Sequence, residues 1–275
     1  MKKIFVLAFL IVALVSSACA AAPANKIGFL ARLNTTEEEF HKIIHDSWNT
    51  NSWSIFSSQH ENDEVKFFDT MASMIMAVKA QQVKEIVLPK VTAEYVIQAN
   101  PELAVCCAAK TKYPMSLAMG FRKDDRILQD RFNLAITALE DSWQLVELQW
   151  AYLSAADFEK LTPVTFPKFE GADTIKVAIT GDLPPIDFIN SQGSPSGFNV
   201  ALLAEIARLL KINIELIQVD SNARTAALMS KRADVVFWYE TSEDYTWKYD
   251  AGEDVILSTP YYSWNEFLHL TLKEK

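Results

Sequence analysis

The sequence predicts an α/β protein of two lobes, each a mixed, mostly parallel sheet with helices on its faces. Three observations carry that expectation. From Lys26 to Leu153, short apolar runs alternate with amphipathic stretches long enough for three helical turns. An irregular segment, Asp157–Asp173, then breaks the rhythm with Pro163, Pro167 and Gly171. The same alternation restarts at Ile175 and continues toward the C-terminus. Strands that are separated by helices pair in parallel, because each crossover helix returns the chain to the same edge.

The elements follow in order. Met1–Ala24 reads as an export leader: Lys2 and Lys3 precede the apolar run Ile4–Val15, and small residues follow. That run is shorter than the ~20 residues a membrane-spanning helix needs. Ser17-Ala18-Cys19 fits the end of a lipobox, with Cys19 as the lipidated residue; cleavage after Ala20, Ala22 or Ala24 is the alternative. Lys26–Ala31 is a strand, and Thr35 with Glu38 forms a capping box for a helix through Trp48. Asn49–Asn62 is a polar loop, Glu64–Phe68 a strand and Thr70–Ala80 a helix with one apolar face. Glu85–Leu88 is a strand ended by Pro89, and Val91–Ala99 is a helix ended by Asn100-Pro101. Leu103–Ala108 and Met115–Phe121 are two further strands, followed by helices Asp125–Leu139 and Trp143–Leu153.

Beyond the linker, Ile175–Ile179 is a strand, Phe198–Leu210 a helix and Ile214–Val219 a strand. A short helix, Ala223–Met229, precedes the strand Ala233–Trp238. Ser242–Asp254 is a polar loop, and Phe267–Leu272 a final strand.

The formal net charge of −9, which becomes more negative by two without Lys2 and Lys3, argues against nucleic acid or an anionic membrane as partner. Half the residues are hydrophobic, so the chain has enough apolar surface to fold. Cys106 and Cys107 are adjacent, so on a regular strand they point to opposite faces and stay as two buried thiols. The four histidines show no metal-type spacing with them: His41 and His45 lie one helical turn apart without a third ligand. No metal or cofactor is expected.

Within each half, the motifs resemble those of the type II periplasmic solute-binding family, in its polar amino-acid branch. Ile175–Ile179, Pro184-Pro185 and Gly197-Phe198 resemble the strand, turn and helix start that open that family's first lobe. Lys231-Arg232-Ala233-Asp234 and Ser258-Thr259-Pro260-Tyr261-Tyr262 resemble its later strand and the segment entering the hinge. Ile27–Leu30 with Asn34-Thr35-Thr36, Phe68-Asp69-Thr70, Ala93-Glu94-Tyr95 and Gly120–Asp124 resemble the second lobe and returning hinge strand. The resemblance implies two Rossmann-like lobes joined by a hinge, with their order swapped. Residues 25–111 are the second-lobe-like domain, 112–124 the hinge return and 125–153 closing helices that pack on the first lobe. Residues 154–173 are the linker, 174–262 the first-lobe-like domain and 263–275 the hinge strand and C-terminus. The resemblance thus implies a circular permutation; the rival account, a truncated tandem with half of each copy, predicts missing or duplicated parts, and none is evident.

The resemblance also implies a function: an extracytoplasmic protein, periplasmic or lipid-anchored, that captures a small polar ligand for the membrane permease of an ABC importer. It is expected to act as a monomer, not as an enzyme. Alternatives are an exported enzyme resembling cyclohexadienyl dehydratases, and an envelope sensory or interaction protein without a ligand. Ligands in open α/β lobes sit beyond the carboxyl ends of strands, which selects Asp187, Phe188, Arg224, Trp238, Tyr239 and Glu240, with Asn34, Thr35 and Thr36 opposite. Arg224 has the fork for a carboxylate, Trp238 and Tyr239 have faces for a planar or cationic group, and Asp187 suits an amine. Structural roles are open for each of them. The sequence departs from the branch at its usual anchors. Thr241–Tyr245 lacks the arginine that grips an α-carboxylate, and Pro89 stands where an aspartate usually receives the α-amino group.

Overall fold

A computed structural model of the chain describes residues 26–30, 64–154, 158, 161, 163–242 and 252–273. The first half contributes strands β1 (Lys26–Leu30), β2 (Glu64–Phe68), β3 (Glu85–Pro89) and β4 (Leu103–Arg122). Its helices are α1 (Met71–Lys79), α2 (Lys90–Ala99), α3 (Arg126–Asp141) and α4 (Gln144–Leu153). The second half contributes β5 (Thr174–Ile179), β6 (Asp182–Leu183), β7 (Asp187–Ile189), β8 (Pro195–Ser196), β9 (Asn213–Gln218), β10 (Val235–Ser242), β11 (Val255–Leu257) and β12 (Tyr262–Leu272). Its helices are α5 (Phe198–Leu210) and α6 (Arg224–Met229), the latter preceded by a 3-10 turn at Ser221–Ala223. Among the described residues no helix is long and apolar enough to cross a membrane.

One mixed sheet runs β2-β1-β3-β12-β4-β10-β5-β9, with β11 on β4. The β1–β2, β1–β3, β5–β9 and β5–β10 pairs are parallel. An antiparallel ribbon, β4 with β12, stitches the two parallel groups together. The sequence suggests two strands where β4 runs unbroken for 20 residues. Lys110–Pro114 reads as a break because it lies where β4 leaves one group and enters the other. There the ladder slips: Trp264 faces Met115 and Glu266 faces Lys110, leaving Asn265 opposite four residues of β4. Pro114 is tolerated at such an irregularity because no regular ladder bond is required of it. The final strand likewise starts earlier than expected, at Tyr262, and Ser242 belongs to β10.

A second slip lies between His269 and Leu270, which face Cys107 and Val105. Cys106 is therefore the extra residue of a β-bulge. This corrects the sequence expectation of buried thiols on opposite faces: both cysteines are exposed, and their sulfurs lie 3.8 Å apart. The small sheet β6-β7-β8 also escapes the sequence reading, because strands of two or three residues carry no periodicity.

Helix α5 anchors the main core. Leu202 and Ile206 are fully buried against Phe132, Ile136 and Leu139 of α3 and Val177 and Phe237 of the sheet. Each such side chain contributes about 1.5–3 kcal/mol of burial. The helix begins at Gly197, whose φ of +106° favours glycine, and a β-carbon there would lie 2.6 Å from the Pro185 carbonyl oxygen. The Pro185 and Ile186 carbonyls accept the amides of Phe198 and Asn199. The Pro-Pro turn thus caps α5. In the other group, Met74, Val78, Ile86, Leu88 and Leu103 form a separate core beneath α1 and α2.

Arg122, at the end of β4, fastens the second half to the ribbon. It donates to the Leu228 and Ala233 carbonyls at 3.0 and 2.6 Å and pairs with Asp234 at 3.0 Å. Asp234 in turn accepts the Lys176 amide of β5 at 3.0 Å.

Candidate functional site: an acidic cleft at the strand ends

Parallel strands in both groups end at one place. A cavity of about 420 Å³ lies between Asp69-Thr70, which follow β2, and the segments that follow β5 and β9. Thr70 caps α1, its side-chain oxygen accepting the Ser73 amide at 3.1 Å. The far wall consists of Thr180, Gly181 and Asp182 beside Gln218, Asp220, Ser221 and Asn222. Ser221 donates to Asp182 at 3.1 Å, joining the two loops. Gly181 has a φ of +74°, which turns the chain out of β5 into the wall. Three carboxylates line the cavity, and none of its described lining residues is basic. A field of one sign in a concave site concentrates cations.

None of the described residues selected from sequence is among those that line the cavity. Arg224, only 1% exposed, stacks on Trp238 with its guanidinium carbon 3.7 Å from the ring centroid, and donates to the Trp238 carbonyl. The stack arises because β10 bulges between Val236 and Tyr239, re-aiming Trp238. Tyr239 is fully buried, with its ring against Gly120 and its hydroxyl 2.8 Å from Thr225 Oγ1. Glu240 is nearly buried on β10. Phe188 packs on Tyr95 of α2 with ring centroids 5.5 Å apart, a contact between the two groups rather than a lining position. Asn34, Thr35, Thr36 and Cys19 lie outside the described residues.

Asp187 is fully buried under the β5 exit, where its Oδ2 accepts the Thr180 amide at 3.0 Å and hydroxyl at 3.2 Å. Burial raises its pKa above the ordinary aspartate value, and the Thr180 amide opposes the rise. Tyr261 is held well above the ordinary tyrosine value by burial first and the nearby Asp187 charge second; Asn199 and Arg224 pull the other way. Asp187, Asn199 and Tyr261 are all buried behind the cleft wall, where Asp187 is tied to Thr180, and the Asn199 side-chain amide and Tyr261 hydroxyl have no hydrogen-bond partner among the described residues.

Sequence reasoning missed Asp69, Thr70, Thr180 and Gln218 as cleft residues. The signal for Asp69-Thr70 was present: a carboxylate and a cap at the end of a parallel strand. A second, shallower cavity of about 520 Å³ lies between the α3–α4 turn and Pro260–Ser263, away from the strand ends.

Residues 175–269 match the family model described as bacterial extracellular solute-binding proteins, family 3. No curated protein matches the sequence. Among solved structures, the chain is similar to the ligand-binding component of an ABC-type import system from Staphylococcus aureus with zinc bound. That likeness has 9% identity and a TM-score of 0.43, covering 90% of this chain and 66% of that one. It is also similar to the BvgS VFT2 domain of Bordetella pertussis, at 12% identity and a TM-score of 0.42, covering 91% and 81%. A third is the periplasmic aliphatic sulphonate binding protein SsuA of Escherichia coli, at 11% and 0.43, covering 92% and 66%. From β5 into β12, then, the chain carries the sequence pattern of the family 3 extracellular solute-binding proteins.

Proposed function

We propose that the protein is an exported solute-binding protein that captures a small, polar, amine-bearing molecule in the cleft and delivers it to the membrane permease of an ABC importer. The observation that carries this reading is the set of three carboxylates, Asp69, Asp182 and Asp220, around a cavity fed by strand ends of both groups. The neutral donors and acceptors of Thr70, Thr180, Gln218 and Asn222 suit the remaining polar atoms of such a ligand. Arg224, already stacked on Trp238, acts in this reading from behind the wall, as do Tyr239 and Glu240.

The reading includes a permuted lobe order. Lys26 of β1 accepts the Lys84 amide at 2.8 Å, and Thr271 of β12 donates to the Lys84 carbonyl at 2.9 Å. The end of β12 and the start of β1 thus flank one residue, so a short connection there would restore the usual order of the family. A chain rejoined there and opened within 163–173 should fold and bind as the parent does; failure to fold would favour two half-domains in tandem.

The functional test is a thermal-shift screen against amino acids, di- and polyamines and small organic anions, with mass spectrometry of the recovered ligand. An amine at a hundredfold excess over its Kd should stabilise the fold by ~2.7 kcal/mol and be recovered unchanged. Stabilisation by anions alone, or chemical conversion of the ligand, would overturn the reading.

A further inference from the structure

The edge of the first-half sheet carries a second cluster, which the cleft does not use. Glu85 of β3 is 4% exposed and His269 of β12 is 1% exposed, while Cys106 and Cys107 of β4 reach solvent. The bulge at Cys106 brings the two sulfurs to the same side, 3.8 Å apart, with Cys106 Sγ 3.4 Å from Glu85 Oε2. The other Glu85 oxygen lies 3.0 Å from His269 Nδ1.

We propose that Cys106 Sγ, Cys107 Sγ and Glu85 Oε2 form a binding site for a thiophilic d10 cation of the Zn2+ class. Two sulfurs each ~2.3 Å from a tetrahedral zinc are separated by about 3.8 Å, and a sulfur and a carboxylate oxygen by about 3.5 Å. The observed separations are 3.8 and 3.4 Å, and one ligand atom from each of the three residues lies within 4.8 Å of the others. Little rearrangement is needed. His269 braces the carboxylate so that Oε2 faces the sulfurs, the outer-shell arrangement that orients metal-bound groups. A fourth tetrahedral position is left to solvent, since both cysteines are exposed on the part of β4 that pairs with β12 alone.

A coordinated zinc takes its thiols as thiolates, releasing their protons, and its charge offsets the neighbouring carboxylate. Sequence spacing hides this site, because its ligands come from two strands, β3 and β4, and the bracing histidine from a third, β12, far along the chain.

The test is titration of the reduced full-length protein with Co2+ and Zn2+ in the presence of a chromophoric chelator. One equivalent should bind, with a sulfur-to-cobalt charge-transfer band. The double substitution Cys106→Ser and Cys107→Ser should abolish the band and weaken zinc binding at least ~100-fold, and Glu85→Gln should weaken it ~10-fold. Circular dichroism checks that the variants stay folded, and the exposed serines are isosteric. Failure of the reduced wild type to bind overturns the proposal, as does equal binding by the folded double variant. A Cys106–Cys107 disulfide in the purified protein, with no zinc bound after its reduction, also overturns it.

Discussion

Gly120 lies flat against the ring of Tyr239: a β-carbon on Gly120 would stand 2.2 Å from Cε2 and 2.6 Å from Cδ2 of that ring. Gly120 also faces Val236 of β10 and Leu257 of β11, so β4 cannot retreat without breaking both ladders. Gly120→Ala should therefore displace the buried ring and strain its contact with Thr225, costing about 1–3 kcal/mol in urea unfolding. The loss should shrink in a Tyr239→Leu background, because the two positions share one contact. Equal losses in both backgrounds would rule out this contact as the cause.

Arg122→Ala should destabilise by about 2–4 kcal/mol, since it leaves Asp234 without its cation and two carbonyls without their donor. Asp234→Asn should cost less, because Arg122 keeps its two carbonyl acceptors and the one asparagine oxygen can still accept either from Arg122 or from the Lys176 amide, which now use separate carboxylate oxygens. Denaturant melts of the two variants against wild type give the comparison, and the opposite ranking would contradict it.

Asp187 makes stability depend on pH in the unusual sense. Its folded pKa is raised above 3.8 by burial, so the folded state binds the proton more tightly than the unfolded chain. The contribution of the protonated group is complete below the unfolded value and is lost as pH rises through the folded one. Asp187→Asn removes that titration while leaving an oxygen for the Thr180 amide. The stability of the variant minus that of wild type should therefore grow from about pH 4 upward. Its slope is bounded by ~1.4 kcal/mol for each step of one in pH, the limit for one proton, and flattens once the folded carboxyl has ionised. A difference that stays constant with pH would show that Asp187 does not titrate differently on folding.

Single replacement of Asp69, Asp182 or Asp220 by Asn should weaken an amine ligand roughly 10-fold each, as expected for loss of a charged hydrogen-bond partner. Asp69 and Asp220 are exposed, so their variants should melt near the wild-type temperature. Calorimetric titration separates the two effects. Unchanged affinity across all three variants would move the ligand out of this cleft.

The parts of the fold legible from sequence are those with a strong period and clear ends. Helix α5 matches its expected limits, Phe198–Leu210, because a near-continuous apolar face starts at a glycine and the chain turns at Lys211. Strand β2 matches because its residues alternate between exposed and partly or fully buried. β4 was not legible as one strand, since it changes partners midway and its ladder with β12 slips at that crossing. The strand-end rule points to the segments that follow β5 and β9, which do line the cavity through Gly181-Asp182 and Asp220–Asn222, but the side chains selected from it, Asp187 and Arg224 among them, are not in the lining. Arg224 and Tyr239 point inward for a reason that no residue pattern records: the bulge in β10 and the flat surface left by Gly120. The bulge that gathers Cys106 and Cys107 is equally silent in sequence.

The uneven rungs of the β4–β12 ribbon, one residue opposite four between Met115 and Lys110, also bear on motion. A ladder whose two rails differ in length is already curved, with the longer rail on the outside. Its neighbouring rungs, Trp264 with Met115 and Glu266 with Lys110, remain in register on either side. Bending at this irregularity has a preferred direction, toward the shorter rail. The swing between halves that the proposed ligand capture requires would flex the ribbon here, where the two parallel groups meet.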